Sequence, residues 1–93
     1  MTVEEMKYKI IPILERYGVK KAAIFGSFVK GKAKSSSDLD ILVEIERDMS
    51  LLDFVGVRLE LEEALNMKVD LVEYETIKPL IREKILGEQV VIL

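Results

Sequence analysis

Residues 38–46 read Asp-Leu-Asp-Ile-Leu-Val-Glu-Ile-Glu, and this alternation limits the possible folds more than any other stretch of the chain. Successive side chains of a strand point to opposite faces. Leu39, Ile41, Val43 and Ile45 therefore share one face, and Asp38, Asp40, Leu42 and Glu44 the other. The pattern predicts a strand over Asp38–Glu46 with one face in a core. It also places Asp38 and Asp40 side by side. Adjacent carboxylates repel unless a cation lies between them. Asp40 stands between Leu39 and Ile41, where a carboxylate is costly unless solvated, paired or metal-bound.

Separated from Asp38 by ten residues, the pair Gly26-Ser27 leaves a short apolar run, Ala22-Ala23-Ile24-Phe25, which predicts a buried strand. Hard oxygen donors suit Mg²⁺, which keeps several waters and shares its other positions with substrate phosphates. A glycine-led turn can offer backbone N–H groups to those phosphates. Together the turn and the paired carboxylates read as a metal-dependent site for a nucleoside triphosphate. A third carboxylate, Asp70, stands between Val69 and Leu71 in another predicted strand, 69–74, and would join the site if the two strands are neighbours. Lys20, Lys21, Lys30, Lys32 and Lys34 flank the turn, either as a solvated basic surface or as a positive collar for a polyphosphate.

Composition narrows the chemistry. The 93 residues suffice for one domain, 1–93, with a modest core. Cysteine and histidine are absent, which removes disulfides, thiolate sites, His/Cys zinc sites and imidazole bases. Catalysis would run on carboxylates, lysines, hydroxyls and metal. The net charge of −3 argues against a general nucleic-acid binder. No apolar run approaches the ~18 residues of a membrane span, and Met1–Glu5 lacks a signal-peptide pattern, so a cytoplasmic location is expected. Gly26-x₄-Gly31-Lys32 approaches a Walker A loop, but Ala33 stands where that loop needs a metal-binding hydroxyl.

Three helices complete the reading. Thr2 with Glu5 opens the first, Pro12 should kink or break it, and Gly18 stops it. Ser50 with Asp53 opens the second, which ends near Asn66. Thr76 is expected to cap the third, with Pro79 in its first turn and Gly87 at its end. Ser27 to about Lys30 is expected to begin a short helix, 32–37 to form a polar loop, and Gln89–Leu93 to form a strand-like tail. Alternating helices and strands predict an α/β (α+β) domain with a small mixed sheet of three to four strands flanked by helices. In the second helix Phe54, Val57, Leu61, Ala64 and Leu65 form one apolar stripe, and Leu51, Leu52, Val55 and Leu59 a second. Arg58 and Glu62 lie between the stripes at pairing distance. The second stripe is expected either to be covered by a neighbouring helix or to dock a partner or a second copy.

Gly26-Ser27, the ten-residue spacing, Asp38-x-Asp40 and Asp70 within Lys68-Val69-Asp70-Leu71-Val72 resemble the nucleotidyltransferase superfamily that includes DNA polymerase β. The short length and Ile24-Phe25-Gly26-Ser27 resemble its minimal nucleotidyltransferase (MNT) branch. The resemblance implies the nucleotidyltransferase fold. It implies two Mg²⁺ ions held by Asp38, Asp40 and Asp70, and ATP seated by Gly26, Ser27 and Lys30. It further implies a HEPN-type toxin as partner, silenced by AMP transfer to a tyrosine, with the chain as its antitoxin. The family often carries Arg at Lys30, so the bidentate fork for phosphate is lost here. A non-catalytic antitoxin or binding module, and a subunit of an aminoglycoside-type small-molecule nucleotidyltransferase, stay open as alternatives, as does a homo-oligomer.

Overall fold

The computed structural model describes residues 2–31, 38–45 and 48–93. Helix α1 (Val3–Arg16) starts at Thr2, whose hydroxyl oxygen accepts the Glu5 N–H at 3.2 Å. Proline at the tenth helical position removes one backbone donor, yet the helix continues through Pro12 without a break. It ends because Gly18 adopts φ +79°, so that Val19 N–H reaches Leu14 O and Gly18 N–H reaches Glu15 O, both at 3.0 Å.

Strand β1 (Lys21–Phe25) leads into a single 3₁₀ turn at Gly26–Phe28. The expected 32–37 loop lies outside the described residues. Strand β2 (Leu39–Glu44) follows; Glu46 of the predicted strand is also outside them. Helix α2 (Leu51–Leu65) opens with a reciprocal cap, Asp53 N–H to Ser50 Oγ at 3.0 Å and Ser50 N–H to Asp53 Oδ2 at 3.4 Å. It closes on Asn66 in the left-handed region. Strand β3 (Val69–Glu73), a 3₁₀ turn at Tyr74–Thr76, helix α3 (Pro79–Glu88) and the short strand β4 (Val90–Val91) complete the chain.

Two expectations for α3 are corrected. Thr76 does not cap the helix: its hydroxyl turns back to Glu73 O at 2.9 Å, and Lys78 occupies the cap without a side-chain bond. Gly87 lies inside the helix, which runs one residue further. Glu62 is also engaged elsewhere than expected, since its Oε2 accepts the Val69 N–H at 3.0 Å and so satisfies the start of β3.

The sheet order is β3-β2-β1-β4, with β2 and β3 parallel and the other neighbours antiparallel. Helices α1 and α2 cover one face. There Met6, Ile10 and Leu14 of α1 and Val57, Leu61 and Leu65 of α2 bury Ala22, Ile24, Leu39, Ile41, Val43, Val69 and Leu71. The opposite face carries a smaller cluster of Ala23, Leu42, Tyr74 and Ile77, partly covered by Ile85 and Leu86 of α3. Alternation puts Asp40 and Asp70 on this lightly covered face. Most of the second α2 stripe is exposed: Leu51, Leu52 and Leu59 are 78%, 83% and 53% exposed, while Val55 is partly buried. No described helix is long and apolar enough to cross a membrane.

Candidate active site

Parallel pairing of β2 with β3 sets Asp40 opposite Asp70, and antiparallel pairing of β1 with β2 sets Phe25 opposite Asp40. Neighbouring strands lie about 4.8 Å apart. One end of the sheet therefore receives Asp40 and Asp70 side by side, with the Gly26 turn issuing from β1 beside them. Asp38 precedes β2 and is exposed, as is Asp70, whereas Asp40 is half-buried.

Gly26 is required by two features. Its φ of +82° is strained for any residue with a side chain. A Cβ added there would also collide with Asp40 Oδ2 and stand 3.3 Å from Asp40 Cγ. The turn is thus closed down onto the carboxylate. Val29 and Lys30 N–H groups both donate to Gly26 O at 3.1 Å, which tightens the turn. Ser27 lies within it, half-buried.

The electrostatics at this end of the sheet are those of crowded like charges. Burial pushes the Asp40 carboxyl above its ordinary pKa, and the charges of Asp70 and then Asp38 push it further. Asp40 thus feels the charge of both other carboxylates at this end of the sheet. Their donor chemistry, oxygen only, fits Mg²⁺. Among the described residues no three acidic side chains close on a common point tightly enough to hold an ion as they stand. Mg²⁺ is commonly held by one or two carboxylates with water and substrate phosphates supplying the rest, so the Asp40–Asp70 pair with Asp38 alongside fits that mode.

Lys30 leaves the turn, but its Nζ is 3.1 Å from Glu88 Oε2 at the end of α3. Sequence reasoning missed Glu88, and no spacing rule links positions 30 and 88. Lys21 begins β1 and Lys20 precedes it, roughly 17 Å or more from the turn by strand rise, and Lys21 Nζ lies 4.7 Å from the centroid of the Tyr74 ring. Lys32 and Lys34 are outside the described residues.

Residues 8–93 match the family described as Polymerase beta, Nucleotidyltransferase. The chain belongs to this nucleotidyltransferase family. It is 50% identical, over the full length of both chains, to a Methanocaldococcus jannaschii protein named as a candidate protein adenylyltransferase. It is 45% identical to the protein adenylyltransferase MntA of Thermococcus cleftensis over 82% of this chain and 77% of that one. A solved structure described as a minimal nucleotidyltransferase superposes with a TM-score of 0.84 at 33% identity, covering 97% of this chain and 95% of the other. The fold is also that of the MNT antitoxin chain solved with a tri-AMPylated HEPN toxin from Shewanella oneidensis. There the TM-score is 0.73 at 20% identity, over 97% of this chain and 71% of that one.

Proposed function

We propose that this nucleotidyltransferase transfers AMP from ATP to a hydroxyl, a tyrosine, of a HEPN-type toxin, and so acts in the cytoplasm as its antitoxin. The observation that carries the catalytic part is the register of Asp40 against Asp70 beneath the Gly26 turn. The acceptor rests on relatives named protein adenylyltransferase and on the fold shared with an antitoxin solved beside an AMPylated toxin.

In this reading Asp38, Asp40 and Asp70 hold two Mg²⁺ ions. The ions, when bound, neutralise the phosphates and the leaving pyrophosphate and lower the pKa of the attacking hydroxyl. Gly26 lets backbone approach the triphosphate closely, Ser27 supplies a hydroxyl and an N–H to it, and Lys30 adds charge. The acceptor oxygen attacks the α-phosphorus in line, its bond to the pyrophosphate oxygen breaks, and Asp70 takes the hydroxyl proton. Crowding the carboxylates keeps the site poised for cations, because a bound cation relieves their repulsion.

A second reading has its own support. The exposed Leu51, Leu52 and Leu59 form an apolar surface of the kind that marks partner contacts, so the chain could silence its partner by complex formation alone. Incubation with α-labelled ATP, Mg²⁺ and a HEPN-type toxin separates the two. Label on the toxin, absent with Asp40→Asn, supports transfer. A tight complex that silences the toxin without label supports binding alone.

A further inference from the structure

Among the described residues Lys30 is the cation that the turn presents, and a carboxylate outside the catalytic group already holds it. The Nζ–Oε2 distance to Glu88 is 3.1 Å, and each side chain keeps 38% of its surface exposed. Both residues stand on fixed backbone. Lys30 N–H donates to Gly26 O at 3.1 Å. Beyond Glu88, Gln89 N–H donates to Ile85 O at 3.0 Å, and Gln89 Oε1 accepts the Tyr74 hydroxyl at 3.0 Å. Val90 then pairs with Ile24, two residues before Gly26.

The helix itself gives no reason for a carboxylate at this position. The C-terminal end of a helix is its negative pole, where an anion is disfavoured. α3 has no basic residue in its last turn to offset Glu88, and it contributes no fully buried side chain to the core. Glu88 therefore opposes the dipole of a weakly anchored helix, and its ion pair crosses to the phosphate-facing turn.

We propose that Glu88 is a positioning residue that competes with phosphate for Lys30. It keeps the ammonium beside the Gly26-Ser27 turn when no phosphate is bound, and a polyphosphate must take that ammonium over. The inference rests on the nucleotide reading above. Lysine suits this exchange, because its compact ammonium on a flexible stem can turn from one acceptor to another. A half-exposed pair is weak enough to be displaced, and its loss shifts an equilibrium by about two- to fivefold.

Calorimetric titration with Mg²⁺·AMP-PNP and with Mg²⁺·tripolyphosphate tests this on four proteins: wild type, Glu88→Gln, Lys30→Met and the double variant. Glu88→Gln is expected to tighten both ligands by about two- to fivefold. In the Lys30→Met background that gain should vanish, a coupling that a purely structural role for Glu88 does not produce. Unchanged or weaker binding by Glu88→Gln, or an equal gain in both backgrounds, overturns the proposal while leaving the nucleotide reading intact. Failure of the wild type to bind either ligand overturns both. The exposure of both side chains means that all four proteins should fold, which circular dichroism would verify.

Discussion

Substituting Gly26 by alanine probes the site's geometry directly, because three glycines of positive φ provide internal controls. Gly18, Gly26 and Gly31 have φ of +79°, +82° and +69°. A Cβ at Gly18 or Gly31 meets nothing within 4 Å among the described residues, so Gly18→Ala and Gly31→Ala carry the left-handed backbone penalty, about 1–2 kcal/mol. Gly26→Ala carries that penalty and also drives a methyl into the Asp40 carboxylate. Overpacking of this kind adds about 1–3 kcal/mol. For a domain of this size, ~1 kcal/mol moves the melting temperature by roughly 4–8 °C. Gly26→Ala should therefore melt on the order of 5–20 °C below either control. Replacing Asp40 by alanine leaves only its Cβ, 3.6 Å from the added methyl, an ordinary contact. The double variant Gly26→Ala/Asp40→Ala should thus recover most of the extra loss, a coupling of about 1–3 kcal/mol. Thermal melts and urea titrations followed by circular dichroism measure all of these. Equal destabilisation of Gly26→Ala and Gly18→Ala, or strict additivity with Asp40→Ala, would refute the close approach of turn and carboxylate.

Asp40 makes stability depend on pH in an unusual direction. Its folded pKa lies above the ordinary carboxylate value, through burial first and then Asp70 and Asp38. The native state therefore binds this proton more tightly than the unfolded state, and stability is lost as pH rises from the ordinary carboxylate pKa through the raised one. Without divalent cations, Asp40→Asn should be more stable than the wild type at neutral pH, and the advantage should disappear in acid below the ordinary value. Denaturation at several pH values checks this, and Mg²⁺ should stabilise only the wild type. On α2, Leu52→Glu and Leu59→Glu should change folding stability by less than about 0.5 kcal/mol, because their side chains are mostly in water. Either variant should still weaken the complex with a partner by size-exclusion chromatography; unfolding of both would mean that the stripe is core.

Much of the fold was legible where local periodicity and caps agree. The alternation around Asp40 predicted β2 and the faces of its side chains, and Ser50 with Asp53 predicted the start of α2. The third helix was placed correctly but its ends were not. Thr76 falls in the 3₁₀ turn two residues before the actual cap, where its hydroxyl donates to Glu73 O, and Gly87 is tolerated inside a helix that buries little. Pro12 was expected to kink or break α1; the helix is not broken there, because Met6, Ile10, Ile13 and Leu14 on both sides of it bury one continuous face, and tertiary packing outweighs one missing backbone bond. Asp40 and Asp70 each stood out as carboxylates between apolar neighbours. Their meeting depends on strand order and parallel register, which no local pattern records. The α2 stripes show the same boundary: periodicity identified both, but only the folded chain reveals that Leu51 and Leu52 have no cover within it. The Lys30–Glu88 pair lay beyond sequence reading, since it forms only when β4 returns α3 to the end of β1.

Asp38, Asp40 and Asp70 with the Gly26 turn are proposed to form a site where nucleotide and metal bind together. Calorimetric titration of ATP with Mg²⁺ and with excess chelator tests it most directly. Saturable binding should need Mg²⁺ and fall at least tenfold in Asp38→Asn and Asp40→Asn, where roughly 1.4 kcal/mol of binding energy is lost, and Gly26→Val should abolish it while Ser27→Ala only weakens it. Equal ATP affinity with and without the metal, or Mg²⁺-dependent binding that survives both aspartate substitutions, would contradict that proposal.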